Sequence, residues 1–144
     1  MAGLQKLAGA YLMLLAIVVA VFFIINNFLL DAIDVMGVWL VLDALMAIGL
    51  AAGLIYNYSR KKVVDAGSDG DRVTRGYFEA NVAFFVTAGV TILFLHNWFA
   101  LLANGNDYLD GNHQSWVIWA VVDTVLPLIL GITGCHMWKN AGDS

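Results

Sequence analysis

Two carboxylates lie where the surrounding sequence is almost wholly apolar. Asp43 closes the run Val38-Trp39-Leu40-Val41-Leu42, and Asp123 closes Ile118-Trp119-Ala120-Val121-Val122, so each has a tryptophan four residues before it. An ionised aspartate near the middle of a membrane helix costs about 2.5–3.5 kcal/mol on insertion scales. Such a residue is kept protonated, paired with His96 or an asparagine, bound to a cation, or paired with another subunit. Those options amount to proton or cation handling. Two carboxylates plus His96 are also a donor set for iron or another metal, although their spacing is unspecific. Pro127 stands four residues after Asp123 and removes the amide that would bond the Asp123 carbonyl. A freed carbonyl beside a carboxylate is a hard-cation or hydrogen-bond site, or else a packing kink.

The elements that position these groups follow from composition. Of 144 residues, 61% are hydrophobic and 12% charged, and the mean hydropathy is +0.79. A soluble domain carries about 25% charged residues, and one this small leaves roughly a third of its chain surface exposed. So much apolar surface requires lipid as solvent. The acidic pI near 5.0 and the single cysteine exclude a nucleic-acid partner and a disulfide-rich secreted module.

Four stretches reach the roughly 20 apolar residues that cross a bilayer core: 7–30, 36–57, 80–103 and 116–138. Each must be helical, because a backbone in lipid satisfies its own hydrogen bonds, and none shows the alternation of a barrel strand. The expectation is one membrane domain over 1–144, an all-α four-helix bundle. The first span is too long for a signal peptide and is followed by no small-residue cleavage site. Under this reading all seven basic residues, Lys6, Arg60, Lys61, Lys62, Arg72, Arg75 and Lys139, lie on one side. The two other connections carry Asp31, Asp34, Asp107 and Asp110. The positive-inside rule then places both termini in the cytoplasm and the protein in the cytoplasmic membrane.

The chain also reads as one helical hairpin used twice, with halves 1–58 and 77–140. Residues 38–50 align without gaps on 118–130, with four identities and five aliphatic exchanges. The polar matches carry the argument, since aliphatic ones are cheap in membrane helices. Asp43 and Asp123 are the only carboxylates of their spans, and Asn26-Asn27-Phe28 lies against His96-Asn97-Trp98. Both halves enter from the same side, which makes this a parallel repeat.

Depth can be counted at 1.5 Å per residue. Asp43 and Asp123 fall about 11 Å below the outer ends of their helices, His96 roughly 10 Å, and Asn26 and Asn27 about 5–6 Å. In a compact bundle these groups, with Asn97, share one layer of the outer half, and Pro127 lies just below it. That layer is the candidate ion, proton or partner-pairing site, with His96, Asp43 and Asp123 its candidate metal ligands.

Other polar residues read as structural. Asp107, Asp110 and His113 have loose spacing and suit a solvated loop. Cys135-His136 is a lone thiol beside one histidine, not a metal motif. Glu79 is expected near Arg72 or Arg75, and Arg60-Lys61-Lys62 anchors topology. The tryptophans 39, 98, 116 and 119 mark the outer interface, while Tyr56, Tyr58, Tyr77 and Trp138 mark the inner one. Gly49 and Gly53 form a GxxxG that favours close packing, inside the bundle or against a partner.

No nucleophile–base set, dinucleotide fingerprint or haem attachment motif occurs in the sequence. No cofactor is implied, and a catalytic activity of its own is not expected. Three function classes remain. The first expectation is an auxiliary subunit of a larger membrane complex, such as a respiratory or copper-dependent oxidoreductase, held to other subunits or to copies of itself. The second is a small proton- or cation-coupled transporter or channel using Asp43 and Asp123. The third is a metal-dependent membrane enzyme.

Overall fold

The computed structural model describes residues 2–29, 31–67, 74–105 and 113–142. Four helices make up nearly all of these: α1 (Ala2–Leu29), α2 (Val35–Ala66), α3 (Arg75–Asn104) and α4 (His113–Gly142). Each is long and apolar enough to cross a membrane, so the chain is a small multi-pass membrane protein built as a four-helix bundle. The end holding the α1–α2 and α3–α4 connections is called the acidic end here. The opposite end, with the six described Lys and Arg, is called the basic end.

The helices outrun the apolar stretches that announce them. α2 continues past Asn57 to Ala66, because helical hydrogen bonding does not stop where hydropathy does. Lys61 pairs with Asp65 one turn on, Arg60 reaches Glu79 of α3 at 3.7 Å, and the helix stops at Gly67, whose N–H bonds the Val63 carbonyl. Side-chain caps start the next turns. Asp34 accepts from the Gly37 N–H at 3.1 Å, and Thr74 accepts from the Tyr77 N–H at 3.1 Å, each satisfying one of the free amides of a helix start. α3 ends at Gly105, whose φ of 75° is open to glycine at no steric cost.

Around the bundle the order is α1, α4, α3, α2, with the most extensive interfaces between α1 and α4 and between α2 and α3. α4 is the central element: half of its most apolar stretch is buried, against about a third for each of the other helices. Its contact with α1 depends on two glycines. A Cβ added at Gly134 would lie 2.6 Å from the Gly9 carbonyl oxygen, and one at Gly9 would lie 2.7 Å from the Gly134 oxygen. Backbone therefore meets backbone there, as small residues permit in membrane bundles. The GxxxG of α2 faces the bundle interior. Gly49 makes room for the side chains of Leu15 and Leu130 rather than for another backbone.

The interior is closed by Leu12, Val19, Met46, Leu50, Phe94, Val122, Leu126 and Leu130, all at most 1% exposed. The opposite faces carry exposed Leu7, Leu14, Ile17, Ile48, Ile55, Phe85, Ile92, Leu128 and Ile132. In water those faces would be a large liability; against lipid they are the expected surface.

Candidate functional site at the acidic end

All four helices contribute to one cavity. Asn26 and Asn27 of α1, Val35, Met36, Trp39 and Asp43 of α2, Leu101 of α3, and Trp116, Trp119 and Asp123 of α4 enclose about 270 Å³. A neighbouring space shares Asn26, Asn27, Trp39, Trp116, Trp119 and Asp123 and adds Phe23 and Ala120. The local reason is helical register. Trp39 and Asp43, like Trp119 and Asp123, are separated by four residues, so each pair projects from one face. Trp116 stands one turn before Trp119 and joins the same wall.

Both tryptophan–aspartate pairs are braced from outside the cavity. Phe22 meets the Trp39 ring edge-on at 4.9 Å between centroids, and Phe94 meets Trp119 at 6.0 Å. The carboxylates lie deep: Asp43 is 3% exposed and Asp123 is 6% exposed. Counted along the helices, they lie about 12–15 Å below the acidic ends, whereas Asn26 and Asn27 lie about 3–5 Å from theirs. The cavity thus has amides near its mouth, indoles along its wall and carboxylates at its floor. Asn26 donates to the Phe23 carbonyl at 2.6 Å, which leaves its amide oxygen for other partners. Among the described residues no donor reaches Asp123 Oδ1.

Below this floor the bundle is apolar for several turns. Met46 and Leu50 follow Asp43, Leu126 and Leu130 follow Asp123, and Phe94 and Val90 fill the space from α3. Apart from the half-buried Tyr11, whose hydroxyl donates to the Leu45 carbonyl at 2.7 Å, the next buried polar group of α2 among the described residues is Asn57, which is fully buried. Its Nδ2 donates to Thr87 Oγ1 and to Thr133 Oγ1, both at 3.0 Å, and Thr87 in turn donates to the Ala83 carbonyl. This set ties α2, α3 and α4 together. The sequence reading missed it, although Asn57 follows Asp43 by fourteen residues, close to four full turns and therefore the same face.

The structure brings Asp43, Asp123, Asn26 and Asn27 to one cavity and does not bring His96, Asn97 or Pro127 there. His96 is exposed on the lipid-facing side of α3. The inward stripe of that helix is Phe94, Asn97 and Leu101, and His96 lies one residue, about 100°, off it. Asn97 is buried but donates to the Ser115 carbonyl at 3.2 Å, tying α3 to α4. Pro127 is buried in an unbroken α4 and is not part of the cavity wall.

The three-ligand set of His96, Asp43 and Asp123 therefore does not assemble. Among the described residues no three His, Cys, Asp or Glu side chains converge to hold a metal ion. Asp107, Asp110 and Arg72 lie outside the described residues, and His113 is an exposed first residue of α4. Glu79 bonds Arg75 at 2.7 Å besides its contact with Arg60. His136 takes part in a pair with Tyr56, Nδ1 to Oη at 2.7 Å, and the neighbouring Cys135 is a half-buried free thiol.

Comparison with protein-family models, with curated proteins and with solved structures finds no match to this chain. The cavity must therefore be read from its own chemistry.

Proposed function

We propose that the chain is a small membrane carrier for a cationic species, bound between Asp43 and Asp123 in a cavity reached from the acidic end. One observation carries this reading: both carboxylates line a space inside the bundle, and the buried Asp123 Oδ1 has no donor among the described residues to hold it there for structure alone. A carboxylate retained in lipid to pair with a neighbouring subunit would face outward, and an outward pair would have pointed to a missing partner. The inward pair favours an internal site. Two carboxylates neutralise a dication, two monocations, or one monocation together with one proton, so exchange of a cation for a proton lies within the charge balance of the site.

The positive-inside distribution makes the acidic end the external one and the membrane the cytoplasmic membrane. The matching tryptophan–aspartate pairs on α2 and α4 support a duplicated hairpin, whose two halves would each give the site one carboxylate. The auxiliary-subunit expectation draws on short connections, small-residue helix faces and the lack of a catalytic set in the sequence; Gly49 and Gly53 receive leucine side chains from within the bundle, and lipid accounts for the apolar outer faces.

The test is reconstitution into liposomes with an internal pH-sensitive dye. Addition of Na⁺, K⁺, Mg²⁺ or a small organic ammonium should dissipate an imposed pH gradient for at least one cation. The response should vanish in the Asp43→Asn/Asp123→Asn double variant. Equal responses from folded wild type and variant across the whole panel sink the proposal. Native mass spectrometry on protein gently extracted from its own membrane gives the competing reading its chance, because stoichiometric larger chains would return it to the front.

A further inference from the structure

The cavity is an unusual place for a bare metal ion. Hard cations take six to eight oxygen ligands at 2.3–2.6 Å, or fewer with several waters, whereas of the ten described lining residues three are indoles and three more are the apolar Val35, Met36 and Leu101. A volume of about 270 Å³ is that of about nine waters at liquid density, close to the lower end of small-molecule sites. Among the described residues no Lys, Arg or His lines it, so none of them supplies the counter-charge.

Aromatic faces and carboxylates around one apolar space are the chemistry that recognises an alkylated ammonium. The carboxylate answers the charge, and the indole faces answer a cation whose positive potential is spread over carbon-bound hydrogens. Trp39 and Trp119 each pack against a phenylalanine, Phe22 and Phe94, and such packing lowers the ordering cost of binding. Within the acidic pair Asp123 stands out: it is more than nine-tenths buried, lines the cavity, and keeps Oδ1 without a donor among the described residues.

We infer that the ligand is an organic ammonium with a compact apolar body, its charged nitrogen at Asp43 and Asp123 and its carbon surface against Trp39, Trp116 and Trp119. This rests on the cation-site reading above and narrows it to one chemical class.

The experiment uses the full chain in an uncharged detergent. Benzyltrimethylammonium is titrated against tryptophan fluorescence and, in parallel, by equilibrium dialysis. Its neutral carbon isostere, neopentylbenzene, and the ions Na⁺ and Ca²⁺ serve as comparisons. The ammonium should bind saturably and the isostere at least tenfold more weakly. The Asp43→Asn/Asp123→Asn variant should lose binding. Trp116 is half exposed near the start of α4, and Trp116→Ala, its fold checked by circular dichroism, should weaken ammonium binding roughly 2- to 30-fold, the range of a cation–π contact.

Equal binding of ammonium and isostere overturns the inference, because the cavity would then recognise only apolar bulk. Binding of Na⁺ or Ca²⁺ that needs the aspartates but ignores Trp116, with no ammonium binding, overturns the inference and leaves the cation-site reading standing. No binding of any cation, with no flux in liposomes, removes both. Should the double aspartate variant fail to fold by circular dichroism, Trp116→Ala and the isostere comparison still decide the matter.

Discussion

The two halves of this bundle treat buried polar groups in opposite ways. In the acidic half, Asp43 and Asp123 face an open cavity, and Asp123 Oδ1 has no donor among the described residues. In the basic half, Asn57 gives both amide hydrogens to threonines on two other helices, and only its Oδ1 is left over. Packing follows the same division. Near the basic end, α1 and α4 meet backbone to backbone at Gly9 and Gly134, whereas at the acidic end all four helices line a cavity. Both halves tie helices together, the acidic one through Asn97 and the Ser115 carbonyl, but only the acidic half keeps carboxylates beside a space. Asn57 and Asn97 are there for structure, whereas the carboxylates are kept despite their cost.

Substitutions at four positions break or sharpen that contrast. The largest effect is expected at the glycine contact, where the obstacle is a backbone oxygen that cannot swing aside. Gly134→Ala should lower unfolding stability in detergent by about 1–3 kcal/mol, the usual cost of overpacking, and Gly134→Leu should prevent folded protein from accumulating. Normal thermal midpoints for both would show that the close approach is dispensable.

Next is Asp123→Asn, for which the opposite sign is expected. Replacing an unpartnered buried carboxylate by a neutral amide should raise stability by about 1–2 kcal/mol while removing ligand binding, as happens where function is kept against stability. A clear loss of stability would mark Asp123 as a structural residue and erase the contrast. Smaller again, Asn57→Ala should cost about 1 kcal/mol, in keeping with interhelical hydrogen bonds in membranes, and leave binding at the other end unchanged. Finally, Lys61→Ala removes an exposed pair with Asp65 at the basic end and should leave the thermal midpoint where it is.

The sequence shows these features unevenly, for a physical reason. Hydropathy reports whether a helix lies in lipid, so the four spans and the two intramembrane carboxylates stand out on inspection. It says little about rotation. A membrane helix is apolar on its lipid face as well as its packed face, so no amphipathic stripe marks the inward side. That is why His96 and Asn97, neighbours in sequence and alike in depth, could not be told apart, although one faces out and the other bonds the Ser115 carbonyl.

The same blindness hid Gly9 and Gly134, which lie 125 residues apart and belong to no shared motif. GxxxG on α2 was visible as a pattern, but its residues receive leucine side chains instead of a helix backbone. The tryptophan–aspartate spacing was informative because it is a statement about one face of one helix. Its meaning does not depend on how the helices are turned.

The α1–α4 interface carries a consequence for how the chain is made. Of the four helices, α1 leaves the ribosome earliest and finds its main partner in α4, the latest of them. α2 and α3, adjacent in sequence and extensively paired, can dock as soon as both are inserted. α1 must wait, holding its glycine-lined side toward lipid or toward a temporary neighbour, until α4 arrives and seals the bundle. A ribosome stalled before α4 would therefore leave a three-helix intermediate in the bilayer with its first helix loosely held. The acidic cavity, walled partly by Trp116, Trp119 and Asp123 of α4, comes into being only once α4 has joined the other three helices.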